Sequence, residues 1–257
     1  MEPTIIFEDS EILVLDKPSG MIVNRSDTTK GEKTMQEWVE TKVKSQKSKV
    51  KIDEESDFYK RAGIVHRLDK ETSGILLVAK NVESFENLQA QFKERKVKKT
   101  YIALVHGKVE PKEGEINVPV GRLPWNRKRF GVLANGRDAV TKYKILNIKY
   151  KIEDKKQEPL TLLELYPETG RTHQIRVHLK YFNHPIFADP LYAGRKTARN
   201  DRKILPRIFL HASKIFFYHP KTNELLFFES QLPKELEIKF RYGIGTDTTM
   251  WDKDDIS

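Results

Sequence analysis

Short apolar runs, most of them closed by glycine or proline, set the strongest limit on what this chain can fold into. ILVLDKPSG (12–20), GILLVAK (74–80), YIALVHGKV (101–109) and PLTLLELYP (159–167) are too short and too continuously apolar for amphipathic helices, so they read as buried strands. Helices fall between them. Thr34 and Glu37 form a capping-box pattern ahead of Met35, Trp38, Val39 and Val43, which share one helical face, and Ser84 stands at the start of Phe85, Leu88 and Phe92. In RTHQIRVHLKYF (171–182), Ile175, Leu179 and Phe182 lie on one face while Thr172, Arg176 and Lys180 lie on another, which predicts an amphipathic segment with a cationic face. The uneven, hairpin-like spacings in GKVEPKEGEINV and RFGVLANGRDAV favour an α+β fold, with a mixed, mostly antiparallel central sheet flanked by helices and loops, over a doubly wound one. No repeat or low-complexity linker divides the 257 residues, so a single domain is expected, with the lysine stretch and Asp53-Glu54-Glu55 forming an exposed loop.

The charge balance says what such a domain meets. Lys and Arg number 47 against 37 acids, a formal net charge of +10, and the pI is near 9.4. The cations are clustered, in 42–51, in KERKVKK (93–99), in RLPWNRKR (122–129) and in 195–207, a pattern that suits a groove wall for an anionic partner such as nucleic acid. There is no cysteine, hence no disulfide and no thiolate chemistry. The amino terminus lacks a signal-peptide pattern and no apolar run approaches the length that spans a bilayer, so a cytoplasmic location away from membranes is expected.

Several chemistries find no pattern here. His66, His173, His178, His184 and His211 show no metal-ligand spacing, so no metal is expected, and without a Walker A loop no nucleotide cofactor is expected either. Glycoside hydrolysis would need a second carboxylate across the scissile bond, and no second acid stands out. What does stand out is HRLDKETSG (66–74), where Arg67 and Lys70 flank a single carboxylate, Asp69. An aspartate near Ser, Thr and Gly can simply build a turn.

The wider pattern gives that residue a function. HRLDKETSG followed by ILLVAK resembles the catalytic motif of the RluA-type pseudouridine synthases. IIFEDSEILVLDKPSGMIVN resembles their opening strand and loop, KKTYIALVHG their tyrosine motif and ETGRTHQIRVHL their third motif, while HPIFADPLYAG and LHASKIFF match closing segments, so the likeness runs from about residue 5 to 232. It implies one catalytic domain with the pseudouridine synthase fold over residues 1–242 and no S4 RNA-binding domain; residues 243–257 match nothing and are expected to form a mobile acidic tail.

The resemblance also implies the chemistry. A uridine within RNA is detached at its glycosidic bond, rotated and rejoined through carbon 5, with no cofactor. Asp69 matches the indispensable aspartate, acting either as nucleophile at the sugar or as the base that opens a glycal route; Arg176 matches the arginine that keeps it ionised, and Tyr101 the tyrosine that packs on the base and helps remove the carbon 5 proton. Arg67 matches the arginine that fills the place the flipped base vacates, and His66, Arg171 and His173 fall in the same motifs as supporting residues. Arg122, Trp125, Arg127, Lys128 and Arg129, followed by Arg137, resemble the loop that grips RNA, with cations for phosphates and Trp125 for stacking. Lys93, Arg95, Lys96, Lys98 and Lys99 read either as a solvated helix end or as further RNA contacts. The implied partner is structured RNA, tRNA or ribosomal RNA or both, acted on by a monomer. A non-catalytic RNA-binding or chaperone protein that keeps the fold is the alternative, and glycosidic cleavage of RNA without rejoining is a third reading.

Overall fold

A computed structural model describes residues 2–25, 31–44, 56–150 and 159–237. The elements run β1 (Thr4–Glu8), β2 (Ile12–Lys17), α1 (Met35–Lys44), α2 (Asp57–Lys60), β3 (Ser73–Ala79), α3 (Val82–Lys93), β4 (Lys98–His106), β5 (Glu113–Asn117), β6 (Val120–Arg122), β7 (Phe130–Val132), β8 (Val140–Tyr150), β9 (Leu160–Pro167), α4 (Gln174–Tyr181), α5 (Arg195–Asp201), β10 (Leu210–Tyr218) and β11 (Leu225–Glu229). The four apolar runs form β2, β3, β4 and β9, and all seven residues of β3 are buried.

These strands build one mixed sheet in the order β1-β2-β3-β10-β4-β9-β8-β5, with β11 added alongside β10, while β6 and β7 pair separately as a small hairpin. Its pairings are antiparallel except β3 with β10, which run parallel through His211 opposite Ser73 and Ala212 opposite Gly74. The sheet is therefore mostly antiparallel, as the uneven strand spacing suggests. The hairpins themselves differ from expectation: β5 pairs with β8, not with β4, and RFGVLANGRDAV splits between β7, which pairs with β6, and β8. What the spacing does produce is the β6–β7 hairpin, with the basic segment RLPWNRKR at its tip. Core side chains lie on both sides of the sheet, Leu13, Leu15, Leu76 and Val78 packing with Met35 and Val39 of α1, and Ile12, Val14, Ile75 and Leu77 packing with Phe85 and Leu88 of α3.

The helix starts follow side-chain chemistry. At α1 the capping box forms as expected: Thr34 Oγ1 accepts from Glu37 N at 3.2 Å and Glu37 Oε2 accepts from Thr34 N at 3.0 Å. At α3 the cap is Asn81, whose Oδ1 accepts from Ser84 N at 2.8 Å, so the helix begins ahead of Ser84 because an amide oxygen three residues upstream reaches the orphan N–H first. Helix α4 is shorter than residues 171–182, and on its cationic face Lys180 is exposed while Arg176 is buried among Gln174–Leu179. The acidic cluster at 53–55, most of the lysine stretch and the tail at 243–257 lie outside the described residues. Among the described residues no helix is long and apolar enough to cross a membrane.

Gly74 holds the junction of β3 and β10. Its φ of +110° is foreign to L side chains, and a Cβ there would lie 2.1 Å from the carbonyl oxygen of Ala212. Gly74→Ala is expected to cost on the order of 3 kcal/mol or more in urea unfolding, because both the backbone conformation and the parallel pairing of β3 with β10 must give way.

Candidate active site

The loop that carries Asp69, residues 66–72, runs into β3 and is pinned from several sides. His66 Nε2 accepts from Leu77 N at 2.9 Å, and burial, followed by the charge of Lys99, brings its pKa down to about 3, so it is a neutral peg that holds the loop to β3. Lys17, at the end of β2 and fully buried, donates to the carbonyls of Pro18 at 2.9 Å and Lys70 at 3.1 Å. Burial and then repulsion from Arg207 pull its pKa down to about 7 against the pull of Asp69 and Asp16. Gly20 N reaches the Lys70 carbonyl at 2.8 Å and Ser19 Oγ the Glu71 carbonyl at 2.8 Å. On the far side, Ser73 Oγ meets His211 Nδ1 at 2.9 Å and accepts from Arg207 at 2.8 Å, while Glu71 accepts from Arg202 and from Ile208 N at 3.1 Å. A turn closed by Thr72 N on the Asp69 carbonyl, at 3.1 Å, then presents the Asp69 side chain.

The cation that Asp69 meets is not a neighbour in HRLDKETSG. Lys70 pairs with Glu32, and Arg67 is exposed. Instead Arg176 Nη1, 107 residues away on α4, donates to Asp69 Oδ2 at 3.0 Å. The same guanidinium grips Asp189 through Nε at 2.8 Å and Nη2 at 3.0 Å, a two-point contact that leaves Nη1 for Asp69. Asp189 has no solvent exposure and also accepts from Leu191 N at 2.9 Å and Tyr192 N at 3.1 Å. Asp189 and Asp69 outweigh the burial that would disfavour the guanidinium charge and raise the Arg176 pKa further. The Tyr192 ring lies 5.0 Å from the Arg176 guanidinium, and its hydroxyl meets His173 Nδ1 at 2.9 Å and accepts from Phe130 N at 3.0 Å.

Tyr101 of β4 lines the same pocket, with Leu68, Thr72, Ile175 and Arg176 among its neighbours. Burial first, and the Asp69 charge second, push its phenol pKa well above the usual range, so it is a neutral phenol. His173 begins α4 in a left-handed conformation (φ 56°), which turns its ring toward Tyr192 and brings Nε2 to 3.9 Å from Asp69 Oδ1. Burial lowers its pKa, partly countered by Asp69. Arg171 lines the pocket and donates to the Asp138 carbonyl at 3.0 Å, beside Arg137.

A second, open groove of about 660 Å³ adjoins this pocket and shares Arg67, Asp69, His173 and Arg176 with it, while Asn24, Arg25 and Arg122 line its other parts. The β6–β7 hairpin stands at its edge. Phe130 packs edge-on against His173 at 5.4 Å, and Arg122 lies 4.8 Å from the Phe130 ring while donating to the Arg127 carbonyl at 2.6 Å. Trp125, 77% exposed, and the exposed Arg127 and Lys128 form the tip, with Arg129 half-buried behind them. Arg137 is exposed and its backbone pairs with Val120 at the base of the hairpin.

Asp69, Tyr101, Arg171, His173 and Arg176 thus meet in one pocket with Arg67 at its mouth, and the hairpin cations stand apart along the groove. Sequence reading passed over Asp189 and Tyr192, although both sit in HPIFADPLYAG, and over Lys17 in the KPSG loop. The available signal was an acid and a lysine inside apolar surroundings, residues that are rarely buried unless paired.

Comparison with known proteins gives the chain its relatives. The family model for RNA pseudouridylate synthase matches residues 11–181. The chain is 39% identical over 242 residues to the ribosomal large subunit pseudouridine synthase D of Nitrosomonas europaea, covering 90% of this chain and 62% of that protein. It is 39% identical over 235 residues to an uncharacterized RNA pseudouridine synthase of Aquifex aeolicus, covering 90% of this chain and 69% of that one. Among solved structures, human RNA pseudouridylate synthase domain containing 1 superposes with a TM-score of 0.66 at 26% identity, over 90% of this chain and 84% of that chain.

Proposed function

The chain belongs to the RNA pseudouridylate synthase family, and on that premise we propose that it isomerises uridines within structured RNA to pseudouridine, with Asp69 as the essential carboxylate. One observation carries this reading: Asp69 faces a cation-lined groove and is held by an arginine that is itself fixed by a second, fully buried acid. A protein that only bound RNA would gain nothing from a negative charge presented to a polyanion.

In the proposed reaction the target base leaves its stack, at a cost of a few kcal/mol, and Arg67 at the pocket mouth fills the vacancy. Asp69, held by Arg176, either attacks the sugar C1′ or removes a proton that opens a glycal route. The C1′–N1 bond breaks, the uracil turns, C5 bonds to C1′, and the C5 proton departs while the freed N1 takes up a proton. Tyr101 packs on the base. Because it is a neutral phenol, its oxygen takes the C5 proton only by passing its own onward. His173 and Tyr192 position Arg176, and Arg171 and His66 hold the pocket wall. Large-subunit ribosomal RNA is the first candidate substrate, from the relatives' names, and tRNA the second. The chain acts as a cytoplasmic monomer in this reading.

Tritium release from RNA labelled at uridine C5 tests the proposal. Wild-type protein is expected to release tritium in step with pseudouridine formation from ribosomal or transfer RNA, and Asp69→Asn to be slower by at least roughly 10³-fold. Free uracil, or binding without release from either pool, would contradict it.

The hairpin supports a separate expectation. Replacing Arg127, Lys128 and Arg129 together with Ala should flatten the dependence of log K on log salt by about 0.7 for each phosphate that is no longer neutralised, and Trp125→Ala should weaken binding by about 1–3 kcal/mol by removing a stacking platform. An unchanged salt slope in a filter-binding titration would remove the hairpin from the RNA path.

A further inference from the structure

Two cations lining the Asp69 pocket have no hydrogen bond or ion pair among the described residues. Arg67 is exposed at the mouth, where RNA enters. Lys99 is half-buried on the pocket wall, and nothing in the proposed reaction employs it. The other cations there are occupied: Arg176 by Asp69 and Asp189, and Arg171 by the Asp138 carbonyl.

Lys99 lies two residues before Tyr101 on β4, so the alternation of a strand puts both side chains on one face. The Phe92 ring of α3 lies 5.7 Å from its Nζ. On the other side is Gly170, where a Cβ would have the Lys99 Nζ as its one neighbour, at 4.0 Å, so the glycine leaves space open in front of the ammonium. Thr72, from the Asp69 loop, lines the same pocket with a buried hydroxyl that has no hydrogen-bond partner. A wall with an idle ammonium and an idle hydroxyl is built for a polar ligand. Desolvation brings the Lys99 pKa down to about 8, which leaves the nitrogen mostly charged at neutral pH while holding it away from water.

Which part of the RNA this wall meets follows from its place. The phosphates have the open groove with Arg25, Arg67 and Arg122, whereas Lys99 stands one strand repeat from Tyr101 on the wall of the pocket proposed to take the nucleoside. Resting on the synthase reading above, we propose that Lys99 is a catalytic residue whose ammonium donates a hydrogen bond to a carbonyl oxygen of the flipped uracil and stabilises the charge that gathers there as the glycosidic bond breaks. The electron pair of the C1′–N1 bond passes into the ring and spreads over N1 and the carbonyl oxygens. This holds whether Asp69 attacks C1′ or opens a glycal. When C5 bonds to C1′ the ring is neutral again; the C5 proton then leaves as N1 takes one up, and Lys99 keeps its own proton throughout. A fixed cation at that point is stronger in the transition state than in the ground state, because the charge it meets exists only once the bond has begun to break.

The test compares Lys99→Gln and Lys99→Arg with wild type on the RNA pool that wild type modifies, by single-turnover pseudouridine formation and by steady-state kinetics. The expected result for Lys99→Gln is a kcat lower by roughly 10²–10³-fold, the scale of removing one donor to a developing anion, with KM nearly unchanged. Lys99→Arg, which keeps a charged donor, should recover at least about tenfold of that loss. If Lys99→Gln fails to fold, Lys99→Met is the second variant and the same loss of kcat is expected. A wild-type kcat with a raised KM and a shallower salt dependence would assign Lys99 to a backbone phosphate and overturn the proposal. That outcome leaves the synthase reading intact, whereas inactivity of wild type on every RNA pool would strike the reading itself.

Discussion

The site depends on one guanidinium shared by two carboxylates. Arg176 has a side chain only 7% exposed, Asp189 has none of its surface exposed and Asp69 keeps 17%. Taking three charges this far from water is expensive, and the expense is offset only when geometry is good and the remaining lone pairs are satisfied. Both conditions hold at Asp189, which accepts two bonds from Arg176 and two from the backbone that follows it. The group left incompletely satisfied is Asp69, the one at the groove. Asp189 thus acts as an anchor that fixes Arg176, and Arg176 in turn holds the Asp69 carboxylate in place. Everything else around the loop, from Lys17 beneath it to Glu71 and Ser73 beyond it, prevents that carboxylate from swinging away.

Two acids on one arginine leave the cluster with surplus negative charge, in a protein whose ligand is itself a polyanion. The net charge of +10 and its distribution resolve this conflict. Cations at Arg25, Arg67 and Arg122 line the groove and those of the hairpin tip stand beside it, so the potential that draws RNA in is set by the walls, while the acid acts at short range within the pocket. Under the proposed function the division also sorts mutations: changes in the wall are expected to alter affinity and its salt dependence, and changes in the pocket the rate of conversion.

Much of this was legible in the sequence. Apolar runs bounded by Gly and Pro located four central strands, because burial on both faces leaves little room for polar residues. The motif residues Asp69, Tyr101 and Arg176 were found through resemblance, and the structure brings them together. What the sequence hid were relations set by distance along the chain. HRLDKETSG suggests an acid among its own neighbouring cations, yet Lys70 turns to Glu32 and Arg67 to the groove, and the partner comes from α4. A helical wheel for 171–182 puts Arg176 on a cationic face with Thr172 and Lys180, but it cannot show the buried acid at 189 that the guanidinium grips. Hairpin-like spacings likewise implied the right kind of sheet through the wrong pairings, because strand partners are chosen by packing across the whole core.

If Arg176 and Asp189 work as one unit upon Asp69, their contributions to the reaction cannot be independent. The most direct measurement is a double-mutant cycle on single-turnover pseudouridine formation, with Arg176→Lys, Asp189→Asn and the pair combined. Lysine cannot hold two carboxylates with one planar fork, and asparagine loosens the anchor, so each single change is expected to slow conversion by roughly 10²-fold or more. The combined variant should then be no slower than the worse of the two. Losses that multiply would contradict the account, because they would mean that Asp189 serves the reaction by some route other than holding Arg176 against Asp69.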